Sequence, residues 1–234
     1  MYSMDLYLAN KDRYRKYYSV IFRNMTALKF KQFLLYFFFF ASGCFKAVRS
    51  SESKMLTLFD FTKTESVNNW IEVSDTVRRG GSSKAVLSLQ KTQLFQNAIF
   101  FTVLNPLQPQ HAGFAGVKTV VDLNLTDYKN ITIRCKSQGQ NEHYKIVLNH
   151  KGHGTDTITY EQFFQVPLSN VEFDDYDLSF ADFKAYFRGQ EVKDAEPLDL
   201  ARITSFGIQI FAGVYTDIKQ SGVSALSIEK IHAT

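Results

Sequence analysis

Asp75, Arg78 and Arg79 stand together just ahead of Gly80-Gly81-Ser82. A carboxylate, two guanidinium forks and a run of backbone N–H groups on one loop could grip a polar partner. The same residues also make an ordinary hairpin turn, in which Asp75 and Ser82 bond backbone and glycine supplies positive φ. A glycine pair with no helix after it is not a phosphate loop. His150 and His153, in His-Lys-Gly-His-Gly, have ligand side chains but no Cys or third His nearby. Asp174, Asp175 and Asp177 offer oxygens without the spacing of a calcium loop. Both clusters read as solvated turns, and no metal or cofactor is expected.

Nucleophiles are scarce. The chain has 2 cysteines, Cys44 and Cys135. Cys135 falls on the apolar side of its segment, where a buried, inert thiol is expected. Neither a Ser-His-Asp set nor a carboxylate pair can be assembled from the spacing. The chain therefore reads as a binder and not an enzyme. Trp70, the sole tryptophan, and the pairs Phe100-Phe101 and Phe163-Phe164 are the aromatic candidates. Neighbours on a strand point to opposite sides, so one Phe of each pair faces the core and the other needs a second layer or a partner. Trp70, Asp75, Arg78, Arg79 and Arg188 together are the expected partner-binding residues.

The elements that must position them are strands. Apolar residues from 55 onward recur mostly with period two. The pattern predicts strands at 56–61, 69–74, 85–89, 98–104, 114–122, 130–136, 143–149, 158–166, 176–179, 203–211 and 225–232. Gly and polar turns separate them, as in Arg79-Gly80-Gly81-Ser82 and Lys151-Gly152-His153-Gly154. Ile131, Ile133 and Cys135 share one face; Lys145, Val147 and Asn149 alternate with Tyr144, Ile146 and Leu148 on a strand covered from both sides. Only 180–189 hints at a helical turn, with Phe180, Phe183 and Phe187 three and four apart. Many short strands with such punctuation indicate an all-β sandwich or barrel.

With 234 residues, 45% hydrophobic and 21% charged, the chain is neither disordered nor coiled-coil. Its charge of +4 is unevenly spread: residues 1–54 hold ten Lys/Arg against three acids, and the remainder is net acidic. A nucleic-acid partner would require a basic excess in the body, so none is expected. The uncharged run 33–45 would span roughly 20 Å as a helix, short of the roughly 30 Å hydrocarbon layer. Preceded by Lys29 and Lys31 and closed by Ala41-Ser42-Gly43, it has the order of a secretory signal peptide, with Met25 as the better start and 1–24 an upstream extension. Residues 1–54 are thus expected to be a disordered or helical leader, the chain's one contact with a membrane, and 55–234 the body. Asn124 and Asn130 open Asn-x-Thr sequons and are candidate glycosylation sites. A secretory or extracellular destination is slightly favoured over a mitochondrial presequence, which the basic segment 1–32 also fits in part.

Taken in order, several motifs resemble one family. They are Asp60-Phe61, Trp70, Asp75-Thr76-Val77 with Gly80-Gly81-Ser82-Ser83, Gly113-Phe114-Ala115-Gly116-Val117, Asp122-Leu123 with Tyr128, Gly139 with Tyr144, Asp182-Phe183 to Arg188-Gly189, Pro197-Leu198, Gly207-Ile208 and the segment from Ile228 to Ala233. The stretch from Phe59 to Ala233 is similar to the complex I intermediate-associated protein 30 family. Ser179 stands where that family usually has Pro. The resemblance implies a galactose-binding-like jelly-roll sandwich and a chaperone or assembly factor for mitochondrial respiratory complex I. Its partners would be assembly intermediates of that complex. The alternative is a secreted β-sandwich module that binds a glycan or a cell-surface protein.

Overall fold

The computed structural model describes residues 54–152 and 157–234. The expected leader lies outside the described residues apart from Lys54, as do Cys44 and His153. Thirteen strands succeed one another among the described residues: β1 (Leu56–Asp60), β2 (Ile71–Ser74), β3 (Lys84–Lys91), β4 (Gln96–Leu104), β5 (Phe114–Leu123), β6 (Asn130–Gly139), β7 (His143–Asn149), β8 (Thr159–Gln165), β9 (Asp174–Ser179), β10 (Lys184–Phe187), β11 (Gln190–Glu191), β12 (Ile203–Phe211) and β13 (Gly222–Ala233). They form two antiparallel sheets. One has the order β3-β4-β13-β6-β9, with β1 also on β13; the other runs β11-β10-β8-β7-β12-β5-β2. The long β13 is shared along one side, pairing β4 through Ile228 and β1 from Lys230 onward. The result is an all-β sandwich, one of the two architectures that period-two alternation indicates, and of the jelly-roll kind that the family resemblance implies.

Between the sheets lie the inward halves of the alternating strands. Phe100, Ile131, Ile133, Cys135, Leu226 and Ile228 from one sheet meet Tyr144, Ile146, Leu148, Phe206, Ile208 and Ile210 from the other, all with 0% exposure. Removing such surface from water is the main stabilising term, at roughly 25 cal/mol per Å². β7 is buried along nearly its whole length, as expected for a strand covered on both sides. Ile228 and Ile231 both point inward although three residues apart, which a regular strand forbids. An irregularity in the β13–β6 register at Glu229 absorbs the extra residue.

Two expectations need correction. The helical turn hinted at in 180–189 is confined to the first three residues and does not carry Phe187. A 3-10 turn occupies only Phe180–Asp182, and the chain then becomes β10 and turns back as β11. Phe180 and Phe183 share spacing with a helix because both anchor that turn in the core, while Phe187 ends 38% exposed. The Asp174, Asp175 and Asp177 cluster is not a turn either; it lies on edge strand β9. There Asp175 approaches Arg134 at 3.5 Å, and Asp177 accepts a 2.6 Å hydrogen bond from the Thr132 hydroxyl.

Candidate functional site

Asp75 opens a short 3-10 turn after β2 and is 1% exposed. Its Oδ1 accepts from the Ser83 amide at 2.9 Å and its Oδ2 from the Ser83 hydroxyl at 2.7 Å. The Phe114 amide on β5 also donates to Oδ2, at 3.4 Å. The carboxylate therefore ties the turn back to the sheet. Gly81 is part of the same knot, since a Cβ there would lie 2.0 Å from the Asp75 carbonyl oxygen. The turn leaves Arg78 and Arg79 exposed, with the Arg78 guanidinium 5.6 Å from the centre of the Phe114 ring, a cation–π distance. Trp70, half-buried, packs against Phe59 at 5.0 Å, Phe61 at 6.1 Å and Phe206 at 6.2 Å. Asp75 thus braces the loop that displays the two arginines, while Trp70, at the other end of β2, packs into the core. Arg188 is elsewhere, on the β10–β11 hairpin, with φ 52° and its guanidinium over the Phe187 ring.

The two Phe pairs divide as their alternation requires. Phe100 is buried and Phe101 is 41% exposed on the outward face of the six-stranded sheet. Val86 and Ala225 flank Phe101 in register, and Val103 and Val223 form the next row. With Val86 51% and Val223 45% exposed, these residues make an apolar strip on β4 and β13 that reaches β3 only at Val86, since Lys84 is the β3 member of the second row.

Phe163 is the exposed member of the second pair and belongs to a groove on the outward face of the seven-stranded sheet. The groove has a volume of about 400 Å³ and is lined by Phe163, Tyr186, Phe211 and Tyr215, with His143 and Glu191 among its polar groups. Phe163 meets Phe211 edge to face at 4.9 Å and Tyr186 at 5.7 Å. Beside it Lys145 and Glu161 form a buried ion pair at 2.5 Å, with the Thr159 hydroxyl donating to Glu161. Burial, with Glu191 and Glu161 nearby, pushes the Tyr186 phenol above its ordinary range and keeps it a proton donor. Tyr215, 58% exposed, stands on the segment joining β12 to β13. That segment is pinned by Gln220, whose side-chain amide donates to the carbonyls of Phe211 at 2.8 Å and His143 at 3.0 Å. Lys219 caps the Gly213 and Thr216 carbonyls, and Gly213 sits at φ 95° where a Cβ would strike the Ile218 oxygen at 1.8 Å.

At His150 the expected solvated turn is instead a buried clamp, the residue being 7% exposed. His150 Nδ1 accepts from the Asp199 amide at 2.9 Å, while Nε2 donates to Glu196 at 3.2 Å. Its ring also stacks near Tyr160 at 4.9 Å. Both nitrogens are therefore engaged in holding the segment before β12. Cys135 is fully buried, and burial raises its thiol pKa, as an inert core cysteine requires. Asn124 is exposed and its side-chain Oδ1 accepts from the Thr126 amide and hydroxyl, whereas Asn130 is half-buried at the start of β6. The groove was not legible in the sequence, because Tyr186 comes from a hairpin whose spacing imitates a helix and Tyr215 from a connecting segment.

A family model described as Complex I intermediate-associated protein 30 matches residues 59–228. An uncharacterized protein of Schizosaccharomyces pombe, C9E9.15, is 26% identical over 164 residues, covering 67% of this chain and 74% of the relative. Among solved structures, a family 11 carbohydrate-binding module from Clostridium thermocellum, in complex with a β-1,3-1,4-mixed-linked tetrasaccharide, superposes with a TM-score of 0.55 at 16% identity. The match covers 76% of this chain and 94% of the module. The family 11 module of the cellulase Lic26A-Cel5E gives 0.54 at 16% identity, over 78% of this chain and 95% of that one. At these identities the likeness establishes a common fold.

Proposed function

Because the chain belongs to the complex I intermediate-associated protein 30 family, we propose that its sandwich holds an unfinished polypeptide of mitochondrial respiratory complex I. The observation that carries this reading is the apolar strip of Val86, Phe101, Val103 and Val223 on the outward face of β3, β4 and β13. Contiguous exposed apolar surface rimmed by polar groups is the mark of a protein–protein contact. Arg78 and Arg79, exposed on the turn leading into β3, supply forks for carboxylates or carbonyls. Such a surface shields apolar segments of a subunit and gives way when permanent neighbours bury them, so no bond-breaking chemistry is needed. Deleting the chain should lower assembled complex I on native gels, and the wild-type chain should restore it. An unchanged amount of the complex would contradict the proposal.

A second reading, a secreted module for a glycan or a cell-surface protein, is favoured by the aromatic groove on the other sheet. The two readings demand different destinations, mitochondria or the secretory pathway. A C-terminally tagged chain separates them: import into mitochondria supports the first. Secretion, with a gel shift on deglycosylation that Asn124→Gln removes more completely than Asn130→Gln, supports the second.

A further inference from the structure

We propose that the groove formed by β8, β10 and the segment between β12 and β13 is a site for a neutral, hydroxyl-rich sugar chain, with Tyr215 and Phe163 as stacking platforms. The inference rests on the second reading only for the premise that the groove takes a ligand, and it is independent of where the chain is delivered.

The groove's volume of about 400 Å³ lies within the range of small-molecule sites. Its floor is rigid, because Phe163 is wedged edge to face between Phe211 and Tyr186. Its wall is rigid too. Tyr215 is exposed to water, yet the segment bearing it is fastened by Gln220, Lys219 and Gly213. A ring displayed on a fastened loop loses little entropy on meeting a ligand, which is what a preformed platform requires.

The polar groups select the ligand. His143, Gln190, Glu191 and Thr216 stand among the rings, and the lining includes no Lys or Arg. A phosphate or sulfate would find the neighbouring cations already paired, Lys184 with Glu191 at 3.6 Å and Lys145, 5.6 Å from the Phe163 ring centre, with Glu161. A purely apolar segment would strip water from Glu191 and Gln190 without replacing their hydrogen bonds. A pyranose satisfies both demands, since its C–H face covers a ring while its equatorial hydroxyls reach donors and acceptors at the edge. The Tyr186 phenol, protonated at neutral pH, is a donor of that kind.

The test is affinity electrophoresis of the full chain through native gels containing soluble β-glucan, galactomannan or starch, with cellotetraose, mannotetraose and maltotetraose as competitors. The expected result is retardation in at least one gel, relieved by the matching tetrasaccharide. Tyr215→Ala should weaken the interaction about tenfold or more, with an unchanged melting temperature, and Phe101→Asp on the opposite sheet should leave it intact. Absence of retardation in all three gels, or full retardation of Tyr215→Ala, would overturn the proposal. A chain retarded by polysaccharide but delivered to mitochondria upholds the site while removing the secreted module; a secreted chain that is not retarded removes the site alone.

Discussion

Removing the Asp75 carboxylate leaves the Ser83 amide and hydroxyl without their acceptor in a site that is 1% exposed. Each orphaned buried donor costs about 1–3 kcal/mol. Asp75→Ala should therefore lower the thermal midpoint by roughly 4 °C or more, a shift calorimetry reads directly; an unchanged midpoint would show that the knot carries no stability. The turn, with Asp75 bonding backbone, was visible in the sequence, but the tie of its carboxylate to the sheet was not, because only the pairing of β2 with β5 brings Phe114 to it. Trp70 is similar: a lone aromatic near a turn could face either way, and the rings of Phe59, Phe61 and the distant Phe206 decide that it packs. Tyr144 gives a second test. Burial pushes its phenol up to about 12 from an ordinary value near 10, and its hydroxyl pairs with Ser137 at 2.7 Å. A raised pKa means that the folded state holds the proton more tightly, so this stability is complete below about pH 10 and lost between about 10 and 12. Tyr144→Phe should flatten that part of the alkaline decline in urea midpoints; identical declines would count against the linkage.

Among the elements, strands with clean alternation were legible and the β10–β11 hairpin was not. Phe180, Phe183 and Phe187 have helical spacing, yet the short 3-10 turn consumes the first two, and pairing with β8 draws Lys184–Tyr186 into the sheet. Irregular register hides in the same way. Ile228 and Ile231 could share a face only through the bulge at Glu229, which also lets that carboxylate accept from Arg134 at 3.0 Å. The segment between β12 and β13 owes its order to Gln220, which is 4% exposed and bonded to both β7 and β12. Gln220→Ala should speed amide exchange across 212–221 and cost about 1–3 kcal/mol through the buried groups it strands. Exchange no faster than in the wild type would mean that Lys219 and Gly213 suffice to hold Tyr215.

At the scale of the molecule, both sheets bury one face against the other and each keeps aromatic surface outward. This division arises from Phe100-Phe101 and Phe163-Phe164, since a strand cannot hide two adjacent rings in one core. The sandwich itself was readable from period-two alternation; the groove was not, because its rings converge from three separate segments. The apolar strip bears the assembly reading, and charges placed on it should remove partner binding without disturbing the core behind. The most direct measurement is the migration of a tagged chain on native gels of mitochondria, comparing the wild type with a Phe101→Asp/Val223→Asp variant. Wild-type chain running with an incomplete complex I species, and the variant running free at equal abundance and melting temperature, is the expected result. Equal co-migration of the two, or a wild-type chain that never runs with such a species, would contradict the account.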